Sequence, residues 1–169
     1  MADEPDREKQ ALKHFLDYQR ASVRSIVEGL DEEAWHKSIV PSGWTPAGLV
    51  QHLGDAERHW FQQVVTGTEI DLPWDEGRPP YDPDAPFLCD RPAAEVLAYY
   101  QEQCDRSNEV LDRTPLSAPP VGRHGDPSMD EPSDLRWIVL HMIEETACHS
   151  GHLDIVRELM DGQTDLGLR

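Results

Sequence analysis

Two side chains near the end of the chain, Glu145 and His149, are spaced so that both can act on one atom. In a helix, residues four apart lie on the same face one turn apart, about 6 Å at Cβ. A carboxylate and an imidazole in that relation can hold a metal ion, share a proton or hydrogen-bond to each other. The choice depends on where they point. The stretch SDLRWIVLHMIEETACHSGHLDIVRELM, residues 133–160, repeats Leu135, Ile138, Val139, Met142, Thr146, Leu153, Val156 and Met160 at three- and four-residue steps. At ~100° per residue these form one core-facing stripe, and Glu145 and His149 fall inside it, roughly 60° and 20° from its centre at Met142. A buried unpaired carboxylate is costly, so Glu145 requires a metal ion, a proton, or an arginine such as Arg20 or Arg24.

Other histidines can join them. His52 lies on the flank of a second apolar stripe and can approach from another helix, while His59, two turns on, is a weaker fourth candidate. His141 and His152 flank the inward face near Glu145, where either could orient a ligand, contact a substrate or accept a proton. His14, His36 and His124 fall on expected surfaces or loops. Cys89, Cys104 and Cys148 form no CxxC pair, and their odd number fits reduced thiols rather than a disulfide framework. Cys148 adjoins His149 in sequence but points about 100° away from it, which argues against a Cys/His nucleophile pair.

Four amphipathic segments must position these residues. Leu12, Phe15, Leu16, Val23, Ile26, Val27 and Leu30 predict a first helix from about Arg7 to Leu30. DEEAWHKSIVPSGWTP then reads as a loop or a short helical turn, with Trp35 and Trp44 folding back on the core. Thr45 and Pro46 are a strong helix start, and the stripe Leu49, Val50, Leu53, Ala56, Trp60, Val64 carries that second helix to about Thr66. A proline-rich loop, 67–92, follows and could wall a cleft. Asp90 and Pro92 open a third helix through Val96, Leu97, Tyr100, Cys104 and Leu111 to about Arg113. A second loop, 115–132, precedes the last helix, which Ser133 or Asp134 caps. No repeat or strand-like alternation appears. The pattern predicts an all-α, four-helix antiparallel bundle in one domain, 1–169, whose long loops allow crossovers and whose core can carry a metal site.

Composition narrows the partners. A net charge of -18 opposes nucleic-acid phosphate and anionic membrane surfaces. No apolar run approaches the ~18 residues of a membrane span, and the acidic start MADEPDREKQ is unlike a signal peptide, so a cytoplasmic protein is expected.

The segments SGWTPAGLVQHLGDAERHWF, 42–61, and HMIEETACHSGHLDIVREL, 141–159, together resemble the DinB-like superfamily, in particular its mycothiol-dependent branch. The resemblance covers essentially the whole chain and implies an up-down-down-up bundle with a divalent metal held by His52, Glu145 and His149. Glu145, where many members have histidine, is similar to the variant in zinc-dependent, mycothiol-using maleylpyruvate isomerases. Those isomerases carry a further C-terminal domain, and this sequence ends at Arg169, so the shorter thiol S-transferases are the closer match. The expectation is a metal-activated low-molecular-weight thiol, mycothiol, attacking an electrophile in detoxification. A His2Glu set leaves a coordination position open for that thiol, which would lose its proton to the ion. Zinc is expected, with nickel, manganese or iron as other occupants. The alternatives are a metal-dependent hydrolase or isomerase of the same fold, or a non-enzymatic metal-binding stress protein. Exposed tryptophan-bearing loops would suit a homodimer.

Overall fold

The computed structural model describes residues 4–68, 85–125 and 131–165. Its elements are α1 (Glu4–Val27), the short α2 (Glu32–Trp35), α3 (Pro46–Glu57), which continues as π-helical turns over Arg58–Val65, α4 (Ala93–Arg113) and α5 (Leu135–Asp161). The described residues contain no strand. None of the helices is long and apolar enough to cross a membrane.

Contacts at the helix ends give the directions. Arg136 at the start of α5 bonds Glu8 at the start of α1, and Arg157 near the end of α5 donates to the Ile26 and Glu28 carbonyls at the end of α1. These two helices are therefore parallel. So are α3 and α4: Tyr99 Oη donates to Asp55 and, further along both, Gln62 bonds Gln103. Lys9 of α1 reaches the Asp112 carbonyl near the end of α4, so the two pairs oppose each other. The bundle is up-down-down-up, the order that the family resemblance implies. A simple antiparallel order does not hold, because two consecutive parallel helices, α3 and α4, need a crossover between their far ends.

The core has two apolar halves. One gathers Val23, Trp35, Leu53, Tyr100, Cys104 and Leu153; the other gathers Leu16, Phe61, Leu111, Ile138, Val139 and Met142. Between them each helix contributes a buried polar residue, Arg20, Glu57, Ser107 and Thr146. Arg20 Nε and Nη2 donate to the two Glu57 carboxylate oxygens at 2.7 and 2.6 Å, with both side chains 1% exposed. Burial alone would favour a neutral guanidinium, but the adjacent Glu57 charge and hydrogen bonds more than offset it and raise the Arg20 pKa above its ordinary value.

Local chemistry sets the helix ends. Thr45 caps α3 by accepting from the Gly48 amide at 3.1 Å, with Pro46 inside the first turn. Asp134, not Ser133, caps α5 through the Trp137 amide, and Gly162 closes it at φ 78°. At α4 Pro92 stands at the cap position, and the Glu32 carboxylate accepts from the Ala93 amide. Phe15 and Met160 depart from their expected stripes: Phe15 is 57% exposed and Met160 only partly buried, since both lie at the edge of the face their helix presents. Residues 69–84 of the proline-rich loop lie outside the described residues.

Candidate metal centre

His52 faces α5 from the middle of α3, and Glu145 and His149 face it from successive turns of α5. His52 Nε2 lies 3.0 Å from Glu145 Oε1, and His149 Nε2 lies 3.2 Å from the same oxygen. One ligand atom from each of the three falls within 4.8 Å of the other two. All three side chains are partly buried, at 22%, 25% and 14% exposure for His52, Glu145 and His149, so the group is reachable from solvent.

Hydrogen bonds from His149 and then His52 hold the Glu145 carboxyl well below the usual carboxylate range, against the opposing effect of burial. Glu145 is thus ionised. The same three atoms suit a cation: one anionic oxygen and two imidazole nitrogens converge, a donor set of the catalytic kind, with three protein ligands. The Nδ1 of His149 faces Nδ1 of His152 at 3.4 Å, an outer contact that orients the ring with Nε2 toward Glu145.

The proposed arginine partner for Glu145 is otherwise engaged, since Arg20 is bound bidentately by Glu57. His59 stands seven residues beyond His52, about 10 Å along the helix, and is not part of the group. It bonds Gln63 through Nδ1 and His124 through Nε2, each at 2.8 Å. His124 is therefore not a bland surface residue. Its ring stacks on Trp60 at 4.5 Å, and its Nε2 is buried without a hydrogen-bond partner among the described residues. Trp60 is a deep core ring, and the returning loop uses the imidazole to cover it. His141 stacks on Trp137 and meets the edge of Trp60 at 4.7 Å, placing it in this aromatic nest beside the three-residue group. Burial lowers the pKa of both His59 and His141. His36, expected on the surface, is also used structurally: its two nitrogens bond the Glu32 and Arg91 carbonyls and clip α2 to the start of α4. His14 is exposed, as expected. Cys104 is buried, with its thiol pKa pushed up by burial, and Cys148 points outward from α5.

Phe87 is the main participant that helical spacing does not find. It stacks on the His52 ring with centroids 4.0 Å apart and planes 14° apart, and so fixes the imidazole, while meeting the His149 ring edge-on at 5.8 Å. Its segment can dock there because residue 48 is glycine. A Cβ on Gly48 would stand 2.0 Å from the Phe87 carbonyl oxygen, which accepts from the Thr45 amide at 3.1 Å. A glycine inside a strong helix start was the available signal. Beside His149 opens a cavity of about 340 Å³, walled by Val40, Trp44, Leu49, Phe87, Ile155 and Val156.

A four-helix bundle with two parallel pairs in up-down-down-up order is of the DinB-like class. The chain matches the mycothiol-S-transferase family over residues 11–162 and belongs to it. No curated protein matches it. Among solved structures it is similar to a conserved protein from Enterococcus faecalis, 15% identical, covering 91% of this chain and 97% of that one with a TM-score of 0.63, a likeness of fold.

Proposed function

We propose that the protein is a metal-dependent S-transferase that joins mycothiol to an electrophilic small molecule in detoxification, with His52, Glu145 and His149 as the metal ligands. The observation that carries this is the convergence of their three partly buried ligand atoms within 4.8 Å, in a chain of the mycothiol-S-transferase family. A divalent ion held there, with zinc first among the candidates for this donor set, supplies the positive charge that makes a thiol acidic enough to be a thiolate at neutral pH.

The protein's own groups do the rest. Glu145, ionised, contributes the one negative charge among the ligands, so a divalent ion held with two imidazoles would keep a net positive charge toward an incoming thiol. His149 is oriented by His152, and His52 by Phe87. His152, exposed at the cleft edge, is placed to take the thiol proton and pass it to water. His141, packed between Trp60 and Trp137, supports the α5 turn that carries Glu145 and is assigned no proton transfer. The apolar walls of the cavity beside His149 would hold an electrophile away from bulk water, which favours attack by sulfur over its hydrolysis.

Metal analysis tests the ligand set. Purified protein should carry about one ion per chain, and His52→Ala and Glu145→Ala should each lose it together with mycothiol conjugation. Full metal content and activity in either variant would overturn the assignment.

A further inference from the structure

We infer that the cavity beside His149 is the acceptor pocket, and that the electrophiles accepted carry an apolar body, aryl or branched alkyl, next to the reacting carbon. This rests on the transferase reading and names the substrate class for it. His149 is both a member of the three-residue group and part of the cavity wall, so a molecule seated in the cavity borders the place where the thiol sulfur would lie. Val40, Trp44, Leu49, Phe87, Ile155 and Val156 present hydrocarbon and aromatic surface, and the polar groups reaching the cavity are Ser42, His149 and His152. Among the described residues, no carboxylate, lysine or arginine lines it.

That lining selects. A charged or polyhydroxylated group entering the cavity would lose water without finding replacement partners, at a cost of several hydrogen bonds. The sugar and inositol of the thiol cosubstrate are excluded from it on that ground, which leaves it to the electrophile. At about 340 Å³ it exceeds the ~150 Å³ in which a buried apolar site holds a benzene ring. Trp44 and Phe87 offer aromatic surface to a ring in the cavity, and Ile155, 58% exposed among the described residues, forms an apolar rim.

Two epoxides with the same reacting centre separate the possibilities: phenyl glycidyl ether and glycidol, each with mycothiol and the zinc-loaded full chain. In the reaction the thiolate sulfur bonds to the terminal ring carbon as that carbon's bond to oxygen breaks. The oxygen keeps the electron pair and takes up one proton, balancing the one lost by the thiol. The expected result is a kcat/KM at least about tenfold higher for the phenyl ether, and a preference that collapses in Ile155→Asp. Equal kcat/KM for the two epoxides in the wild type, or a preference that Ile155→Asp leaves unchanged, overturns the pocket while transfer stands. Absence of conjugation with either epoxide defeats the transferase reading instead. The cavity is then judged by binding of the unreactive diol of phenyl glycidyl ether, read as a change in tryptophan fluorescence that Trp44→Phe abolishes. A diol that leaves fluorescence unchanged overturns the pocket as well, and one that binds sustains it.

Discussion

Replacing Glu57 with leucine should be among the most damaging single changes in the protein, and replacing both members of its pair should be far milder. Glu57 and Arg20 are each 1% exposed and meet through two short hydrogen bonds. Glu57→Leu leaves the Arg20 charge buried with only its Nη1 contacts, to Asp17 at 2.8 Å and Asn108 at 2.9 Å. Breaking one side of a buried pair costs about 3–5 kcal/mol. Because Asp17 is 43% exposed and still neutralises part of the charge, the lower end applies, about 3 kcal/mol. For a domain of this size that is a fall in Tm of about 6–12 °C. The double variant Arg20→Met, Glu57→Leu removes both charges and restores apolar contact between the two core halves, so it should recover most of the loss. Urea unfolding followed by far-UV circular dichroism, with a chelator present so that metal binding does not contribute, gives both values. A single variant costing under about 1 kcal/mol, or a double variant as unstable as the single one, would refute the view of this pair as a coupled charge layer.

Two further outcomes follow from the site. Gly48→Ala should destabilise the fold by about 1–3 kcal/mol and weaken metal binding, because the new Cβ would meet the Phe87 carbonyl at 2.0 Å and push away the ring stacked on His52; unchanged metal affinity by competition titration would show that Phe87 does not hold the imidazole. The chelated protein should lose stability as pH falls below about 6.5, ahead of the carboxylate range. Burial lowers the folded-state pKa of His59 and His141, so between that value and the ordinary one the unfolded chain binds more protons and folding is penalised. The loss levels off below the folded pKa. His59→Gln, His141→Gln should flatten this slope in pH-dependent urea melts, and a wild-type curve already flat down to about pH 5 would contradict it.

Helix periodicity located α1, α3, α4 and α5 because each buries a continuous apolar stripe, and it set Glu145 and His149 on the inward face because both fall within the stripe of α5. It missed where the inward polar groups find partners. Arg20 and Glu57 lie on helices joined by a long connection, and nothing local to either residue names the other. Glu57 in particular reads as an ordinary charged residue in the middle of the predicted second helix. His124 was assigned to the surface because it sits in a glycine- and proline-rich segment, yet the Val121 and Gly122 amides bond the Val65 and Val64 carbonyls and draw the segment onto Trp60. Loop residues take their burial from tertiary contacts, which carry no period. The DinB-like motifs supplied what spacing could not, the helix order and the expectation that His52 meets Glu145.

Topology and site are linked through one segment. Because α3 and α4 run parallel, the chain leaving the end of α3 must travel back the length of the bundle before α4 can begin, and its last residues arrive beside the start of α3. There the Thr45 amide and the bare backbone of Gly48 receive the Phe87 carbonyl. An antiparallel hairpin between the same helices would place its turn at the opposite end and leave His52 uncovered. The crossover therefore supplies Phe87 both as the ring that steadies one imidazole and as a wall of the cavity beside the other. A substitution that shifts residues 85–89 should then affect metal affinity and electrophile choice together, whereas a change at Ile155, on the far rim, should affect electrophile choice alone.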